Sequence, residues 1–222
     1  MRAAGGLGVA LVCAALAANA ADVGWVELPL RGVEKATEYE WIKEDGVWHA
    51  TANCSASALI IELDDVDLEK TPRLRWRWRV LEGFENSTER EKTGDDFAAR
   101  VSVFFRNRSH TFFEAAKHRV LKSLHGQSVP DRTLIFVWAH TEASGATWPN
   151  PYAPEDSRIE VAESGLGSPA WRVEVVDVAA RLRTAFGTAP RDPVGLGILT
   201  DSDNLCQTAK AEYADFEWLA SP

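Results

Sequence analysis

Cysteine and methionine are scarce in this sequence, and basic side chains are outnumbered by acidic ones. The 222 residues include three cysteines, one methionine, and 24 lysines plus arginines against 33 aspartates plus glutamates, for a formal net charge of −9. An acidic chain repels polyanions, so nucleic acid and anionic lipid surfaces are not expected partners. The C-x-x-C, H-E-x-x-H, G-x-S-x-G and P-loop motifs are missing as well, which removes the common zinc, serine-hydrolase and nucleotide sites.

Long apolar runs are confined to the amino-terminal region. Arg2 precedes an alanine- and glycine-rich apolar segment, and Ala18-Asn19-Ala20 offers the small side chains that a signal peptidase accepts. The segment is short for a membrane span. We therefore expect residues 1–20 to be a cleaved signal peptide and residues 21–222 to form a single domain. The protein is then expected to be periplasmic or secreted, monomeric, and without stable insertion in a membrane.

Export changes the meaning of the cysteines. Cleavage of the signal leaves Cys54 and Cys206, and disulfides persist in the oxidising compartments outside the cytoplasm. A bridge between them closes a long loop and contributes on the order of 4 kcal/mol. Two buried thiols are the alternative, because sequence does not reveal whether two Cβ atoms approach each other.

Alternation of apolar and polar residues with period two dominates the rest of the chain. The clearest case is Arg73–Val80, in which apolar residues alternate with four arginines, a pattern that places the two sets on opposite faces of a strand. Thr133–His140 is apolar on both faces, as expected of a central strand covered on both sides. Further strands are predicted at Val23–Leu28, Tyr39–Ile42, Val47–Ala52, Ser57–Leu63, Ala99–Arg106, Arg158–Val161, Trp171–Val178, Val194–Leu199 and Glu212–Trp218.

Two segments break this alternation. Apolar residues at helical spacing from Phe112 to Leu124 predict a helix that stops at Gly126. Asp177–Phe186, followed by Gly187, predicts a second, shorter helix. Roughly ten strands with two short helices indicate a mainly β, antiparallel β-sandwich.

Thr200-Asp201-Ser202-Asp203-Asn204 is the densest polar cluster. Asp201, Asp203 and Glu212 match the first, third and last ligand positions of a calcium loop. Leu205 and Cys206 then stand where an oxygen ligand and a glycine are required, which excludes an EF-hand. A calcium site with ligands from several loops stays open, beside the alternative of a turn whose side chains bond their own backbone.

Arginines provide a candidate anion site. Gly94-Asp95-Asp96-Phe97 opens the strand that carries Arg100. The polar face of Arg73–Val80, which includes Arg77, has two interpretations. It is either a cross-strand charge ladder or a basic surface that captures an anionic group such as a uronic acid.

Aromatic residues provide a candidate sugar platform. Core packing accounts for the tryptophans within strands. Trp148, by contrast, begins the proline-stiffened run Trp148-Pro149-Asn150-Pro151-Tyr152, a loop in which burial of the indole would be costly, so an exposed indole that binds a sugar is one interpretation. Sugar rings stack on exposed aromatics, and Asn150 and Tyr152 supply polar partners for the hydroxyls. Packing of Trp148 onto a sheet edge is the alternative.

Seven motifs occur in order along residues 74–216: LRWRWRV at 74–80, GDDFAARV at 94–101, VWA at 137–139, NPY at 150–152, ESG at 163–165, TDSDN at 200–204 and AEYADF at 211–216. Together they resemble the bacterial domain-of-unknown-function family numbered 3047. The resemblance implies an exported, mostly β protein and assigns no activity. Tyr213–Trp218 also resembles the last strand of galactose-binding-type jelly rolls. It implies a jelly-roll-type sandwich, galactose-binding-like or concanavalin-like, in which Asp215 is a further calcium ligand.

The function that these observations favour is non-catalytic binding of a carbohydrate or a similar anionic envelope ligand. Arg77 and Arg100 are expected to hold the ligand, with Trp138 or Tyr152 as the stacking platform. No cofactor is expected beyond a structural Ca²⁺ ion on Asp201, Asp203 and Asp215. The complete set of expected ligand-binding residues is Arg77, Asp96, Arg100, Trp138, Asn150, Tyr152, Glu163, Asp201 and Asp203.

Two other functions stay open. A glycoside hydrolase or polysaccharide lyase would use two of the carboxylates at 96, 163, 201 and 203. Glycoside hydrolysis requires carboxyl groups about 5–5.5 Å apart for retention or about 6.5–9.5 Å apart for inversion. An envelope scaffold that recognises another protein would instead present an exposed apolar patch.

Overall fold

The alternating segments form strands in two stacked sheets. The computed structural model describes residues 24–105, 132–187 and 193–222. These contain strands β1 (Trp25–Pro29), β2 (Glu38–Ile42), β3 (Val47–Asn53), β4 (Ser57–Glu62), β5 (Arg73–Glu82), β6 (Ala99–Phe105), β7 (Arg132–Ala139), β8 (Thr147–Pro149), β9 (Ser157–Ser164), β10 (Ser168–Asp177), β11 (Pro193–Leu199) and β12 (Thr208–Leu219), with helix α1 (Val178–Phe186) between β10 and β11. The larger sheet has the order β1-β4-β11-β6-β7-β9-β8, and the smaller sheet has the order β10-β5-β12-β3-β2.

Pairing within the sheets is almost entirely antiparallel. Strands β7 and β9 run parallel, and the other described pairs are antiparallel. The prediction of a mainly β, antiparallel sandwich is therefore confirmed. Each predicted strand is present with shifted ends, and β8 is the strand that the alternation missed, because three residues are too few to show a period.

Two sets of predictions lie outside the described residues. They are the signal peptide at residues 1–20 and the helix from Phe112 to Leu124. The second predicted helix is confirmed as α1. Its first turn is capped by Asp177, which accepts a hydrogen bond from the backbone of Ala180 at 2.7 Å, and it ends at Gly187 in the left-handed conformation. No helix within the described residues is long and apolar enough to cross a membrane.

The main core lies between the two sheets, and β5 shows why. Leu74, Trp76, Trp78 and Val80 are at most 1% exposed and point into this core, as the alternation predicted. Trp76 and Trp78 meet edge to face with 5.5 Å between ring centroids, an arrangement that aromatic quadrupoles favour. The intervening arginines consequently lie on the outer face of the smaller sheet, the face turned away from the larger sheet.

A second apolar cluster lies on the outer face of the larger sheet. It consists of Phe97, Ile135, Val137, Ala139, Trp148, Ile159 and Val161. Because β7 contributes alternate residues to this outer cluster and to the main core, the prediction that both of its faces are covered is confirmed. Of the two interpretations of Trp148, packing onto a sheet edge is confirmed, and an exposed loop aromatic is wrong. Its indole is 6% exposed and lies 6.4 Å from the Phe97 ring, since β8 folds it inward onto the sheet.

The segment before β6 covers this outer cluster. Glu89 is 2% exposed, and its carboxylate accepts hydrogen bonds from the backbone of His140, Thr141 and Glu142 just after β7. Arg90 binds Glu142 through two hydrogen bonds, of 2.6 and 2.8 Å, and lies 4.9 Å from the Trp148 ring. These contacts attach the segment to the sheet and bring Asp95 and Asp96 to the start of β6.

Candidate functional site

Two aspartate-bearing turns converge where β6 begins and β11 ends. The antiparallel register places Arg100 of β6 opposite Leu199 of β11, so the residues before β6 meet the residues after β11. We call Asp95, Asp96, Asp201 and Asp203 the aspartate cluster. They surround the guanidinium of Arg100, whose side chain is 6% exposed.

Arg100 connects the two turns. Its Nε donates to Asp201 Oδ1 at 2.9 Å, and Nη2 donates to the other oxygen of the same carboxylate. Nη1 lies 3.5 Å from an Asp95 oxygen, and the guanidinium carbon is 4.5 Å from the centre of the Phe97 ring. A buried cation requires such partners, because removing a charge from water costs several kcal/mol.

Asp96 holds the opposite turn directly. Its Oδ1 accepts from the side-chain amide of Asn204 at 2.9 Å, and its Oδ2 accepts from the backbone N–H of Leu205 at 2.7 Å. The preceding Gly94 is required here, since a Cβ atom would lie 2.7 Å from the backbone nitrogen of Thr88. Asp96 therefore shapes the loop, with both oxygens committed to protein donors.

A disulfide between Cys54 and Cys206 anchors the same loop to the turn between β3 and β4. Beside it, the backbone N–H of Ser202 donates to the carbonyl of Ser55 at 3.0 Å. Both cysteines have positive φ angles, 49° and 53°. Leu205 and Cys206, the two residues that excluded an EF-hand, both hold this loop in place. Leu205 donates a backbone hydrogen bond to Asp96, and Cys206 forms the disulfide.

Burial governs the electrostatics of the cluster. It raises the pKa of Asp201 to about 8, while the guanidinium of Arg100 opposes the rise. Burial likewise raises the pKa values of Asp95 and Asp203. Burial lowers the pKa of Arg100, but the carboxylates of Asp201 and Asp95 raise it on balance. Several carboxyl groups share one guanidinium, so the surroundings of the cluster are negative rather than basic.

Tyr152 is the exposed aromatic residue beside the cluster. It is 56% exposed, and its backbone N–H donates to Asn150 Oδ1 at 2.8 Å. The hydroxyl donates to the carbonyl of Lys92 at 2.9 Å. Partial burial and then the charges of Asp95 and Asp203 raise the pKa of Tyr152. The ring is therefore held at its hydroxyl and at its backbone, and more than half of the residue is exposed, with the Lys92 ammonium 5.3 Å from the ring centre over one face.

Three expected ligand-binding residues lie elsewhere. Arg77 is on the outer face of the smaller sheet, 2.6 Å from Asp215 and 4.3 Å from the Trp171 ring. Trp138 is 3% exposed in the main core, where its indole donates to the carbonyl of Gly165, so the expectation of a stacking platform at Trp138 was wrong. Glu163 lies next to Trp138 in the register of β9 with β7. The structure brings together the other six: Asp96, Arg100, Asn150, Tyr152, Asp201 and Asp203.

The outer arginines of β5 form a cross-strand charge ladder. Arg75 lies 3.4 Å from Glu217, and Arg79 lies 2.5 Å from Glu212, a carboxylate that is 3.3 Å from His49 on the next strand. Together with the contact between Arg77 and Asp215, these pairs neutralise three of the four arginines, while Arg73 donates to the carbonyl of Ala220 at 3.0 Å. The outer face of the smaller sheet is therefore a charge ladder, and the interpretation of β5 as a basic surface that captures anions is wrong.

The expected calcium ligands are not assembled as a set, because Asp215 pairs with Arg77 on the opposite side of the sandwich. Asp96 takes its place near Asp201 and Asp203, with one oxygen of each within 4.8 Å of the others. These oxygens fit a cation poorly, however. Both oxygens of Asp96 and Asp201 already accept hydrogen bonds from the protein, and Arg100 supplies the positive charge.

Carboxylates this deeply buried are also poorly placed for hydrolysis. Asp96 is 1% exposed and Asp201 is 3% exposed, and a substrate must reach a catalytic acid or base directly or through one water. The arrangement of the cluster supports positioning of loops rather than proton transfer to a bound sugar.

Sequence reasoning missed two residues that build this region. Asp95 contacts Arg100, and Glu89 fixes the covering segment. Asp95 precedes Asp96 in the GDDFAARV motif at 94–101, so the sequence already indicated that Asp95 lies near the cluster. Nothing in the sequence around Glu89 indicates backbone partners that lie 51 to 53 residues further along the chain.

Comparison with known protein families matches residues 23–217 to the family described as "Protein of unknown function (DUF3047)". The match spans nearly the whole chain, so the chain belongs to this family, as its motifs predicted. No curated protein matches the chain significantly. Among solved structures, it is similar to a family 11 carbohydrate-binding module from Clostridium thermocellum in complex with a β-1,3-1,4-mixed-linked tetrasaccharide. That similarity has a TM-score of 0.42 and 8% identity and covers 90% of each chain.

Proposed function

We propose that this protein is a non-catalytic carbohydrate-binding β-sandwich that acts outside the cytoplasm. The observation that carries the proposal is Tyr152, an exposed aromatic ring held at its hydroxyl and its backbone beside Asn150 and the half-buried Asp203. A flat apolar ring next to fixed hydrogen-bonding groups is the arrangement that sugar rings require. Because the ring is already positioned, binding does not have to pay for its ordering.

The charges of the site favour neutral or amino sugars over uronic acids. Arg100 was expected to hold an anionic group, but its donors are taken by Asp201 and Asp95. Asp95, Asp96 and Asp203 then give the surroundings of Tyr152 a net negative character, which Arg100 and the Lys92 ammonium, 5.3 Å from the ring centre, offset only in part. A carboxylate-bearing sugar would meet repulsion there, whereas hydroxyl or ammonium groups would find acceptors.

The disulfide supports a location outside the cytoplasm. Structural disulfides persist in the periplasm and the extracellular medium, whereas cytosolic reductants keep thiols reduced. The bridge between Cys54 and Cys206 closes 152 residues of sequence and is consistent with the expected export signal at residues 1–20.

Glycan-array screening of the purified protein, followed by calorimetric titration of each bound oligosaccharide, tests the proposal. The array includes neutral, amino and uronic-acid oligosaccharides. We expect binding of a neutral or amino class, weakened about tenfold by Tyr152→Ala, a loss equivalent to roughly 1.4 kcal/mol. The matched control is Leu166→Ala, which removes another exposed apolar side chain and should leave affinity unchanged.

Two results would count against the proposal. The first is a wild-type protein that binds no oligosaccharide on the array. The second is an affinity that Tyr152→Ala does not change. Selective binding of uronic acids would overturn the charge argument, while release of shortened products during the titration would restore the hydrolase alternative.

A further inference from the structure

Strand β10 forms a free edge of the smaller sheet. It spans Ser168–Asp177 and pairs with β5 along one side. Within residues 24–105, 132–187 and 193–222, no strand pairs with its other side. Pro169 has no backbone N–H and the register shifts between Ser168 and Arg172, but Arg172–Asp177 pairs with β5 without a shift. The free side of such an edge segment presents unpaired N–H and C=O groups and so acts as a template for another strand.

Exposed apolar side chains gather at this edge. The described residues contain six large hydrophobic side chains that are exposed, and four of them lie on β10 or beside it: Leu81 at 47%, Leu166 at 67%, Val173 at 53% and Val175 at 47%. Val173 and Val175 pair in register with Arg77 and Arg75, so they share the outer face of the sheet. An apolar patch of this kind is what the protein-recognition alternative predicted.

The sequence of the strand is complementary to itself. Trp171-Arg172-Val173-Glu174-Val175 reads apolar, positive, apolar, negative, apolar around a centre at Val173. When two such strands run antiparallel with Val173 opposite Val173, Arg172 of each strand faces Glu174 of the other. Opposite charges directly across a strand pair stabilise the pairing, and like charges destabilise it.

We propose that β10 pairs with β10 of a second copy of this chain, in antiparallel register centred on Val173, to form a symmetric dimer. The two smaller sheets then become one continuous sheet across the dimer axis. Each copy contributes the same surface, as a twofold interface requires. This arrangement also places Trp171 of one copy opposite Val175 of the other, which covers apolar surface that the single chain leaves exposed.

The surroundings of Glu174 support this register. Burial and then the charge of Glu163 raise the pKa of Glu174, although its carboxylate accepts a 3.2 Å hydrogen bond from the Trp78 indole. Within the chain, Arg172 opposes this rise. Among the described residues, no cationic side chain is hydrogen-bonded to the Glu174 carboxylate. Arg172 of the facing copy would place a second cation next to it. The proposal replaces the expected monomer and does not depend on sugar binding.

A charge-exchange experiment tests the register. In Arg172→Glu, both facing positions of a homodimer are acidic, and in Glu174→Arg, both are basic, so each variant alone should repel its own copy. Mixing the two variants restores two opposite-charge pairs in a heterodimer. Light scattering coupled to size-exclusion chromatography should give twice the chain mass for the wild type, one chain mass for each variant, and twice the chain mass for the mixture.

Glu174→Arg also removes the acceptor of the Trp78 indole, so far-UV circular dichroism and thermal melting must show that each variant is folded. A cysteine variant provides a measurement that does not depend on these charges. Val173→Cys in a Cys13→Ser background places one thiol opposite its own copy, at a separation that disulfide geometry accepts. We expect a covalent dimer under mild oxidation, and the matched control Leu166→Cys in the same background should give far less.

A wild-type protein of one chain mass at concentrations up to about 1 mM, which corresponds to a binding free energy weaker than about −4 kcal/mol, would overturn the proposal. A dimer that survives either charge variant, or a mixture of variants that stays monomeric, would show that association uses another surface or register.

Discussion

Arg100 and Asp201 bind each other through two hydrogen bonds, although 101 residues separate them in the sequence. Asp201 also accepts the backbone N–H of Phe97 at 3.1 Å, so the pair joins the turn before β6 to the turn after β11. The same guanidinium compensates the negative charge that the neighbouring carboxylates bring to this buried position. This one contact therefore determines both the shape and the charge of the aspartate cluster.

Removing the guanidinium should be costly. We expect Arg100→Met to lower the free energy of unfolding by about 3–5 kcal/mol, because it leaves buried carboxylates without their donor. Urea denaturation at pH 7 measures the loss. Arg75→Met is the matched control, since its partner Glu217 is 57% exposed and 3.4 Å away, and such exposed pairs contribute at most about 1 kcal/mol. Equal effects of the two substitutions would show that the buried contact contributes no more than the exposed one.

Stability should fall as the pH rises through the neutral range. The folded-state pKa values of Asp95, Asp201 and Asp203 lie above their ordinary values, that of Asp201 at about 8. A carboxyl group with a raised pKa stabilises the fold most when it is protonated, and this contribution disappears as the pH rises through the folded-state pKa. We expect a lower urea midpoint at pH 8.5 than at pH 5.

The variant Asp201→Asn supplies the control for this pH dependence, because its amide does not titrate. Its urea midpoint should change less between pH 5 and pH 8.5 than that of the wild type. The lower limit of pH 5 avoids a second effect. Glu142 and Asp67 have lowered pKa values, so their carboxylates stabilise the fold when ionised, and this contribution to stability is lost only in more acidic solution. A wild-type midpoint that rises with pH over this interval would contradict the argument.

Calcium should stabilise an Arg100 variant and leave the wild type unchanged. In the wild type the guanidinium is the cation of the cluster. Arg100→Gln removes the positive charge of the guanidinium from the cluster. Oxygens of Asp96, Asp201 and Asp203, which lie within 4.8 Å of one another, can then bind a hard divalent ion. Thermal melting at pH 8 with 5 mM Ca²⁺, or with chelator, should therefore separate the two proteins. A clear calcium-dependent shift in the wild type would instead establish a native ion site.

Reduction of the disulfide should destabilise the whole fold. The bridge closes 152 residues, for which loop entropy gives a loss of about 5 kcal/mol. Urea denaturation with and without reductant measures this, and Cys54→Ser/Cys206→Ser should behave like the reduced wild type. A similar midpoint with and without the bridge would mean that hydrogen bonds such as that between Ser202 and Ser55 hold the loop without covalent help.

The sequence predicted the fold well because the alternation of buried and exposed positions in a strand appears in the sequence as an alternation of apolar and polar residues. In β5 every second residue is buried against the other sheet, and the resulting alternation can be read without any knowledge of the partner strands. The site was predicted only in part. Asp201 and Asp203 share a conspicuous polar turn, but the sequence does not say that Arg100 meets this turn whereas Arg77 faces the opposite side of the sandwich.

Aromatic residues show the same division. Tyr152 and Trp148 lie four positions apart in one proline-rich run, yet Tyr152 is exposed at the aspartate cluster and Trp148 is buried against Phe97. Their fates differ because β8 pairs with β9 at the sheet edge and turns the indole inward. Three residues are too few to show a pattern that predicts the pairing of β8 with β9.

Local periodicity and composition thus determined that this chain is an acidic β-sandwich with two cysteines beyond its first 20 residues. Tertiary structure alone decided which charges meet. Hydrogen bonds and ion pairs act over a few ångströms, so their partners depend on strand register and sheet order rather than on neighbours in sequence. The register of β6 with β11 brings Arg100 to Asp201, and the order of the smaller sheet leaves β10 without a described partner on one side.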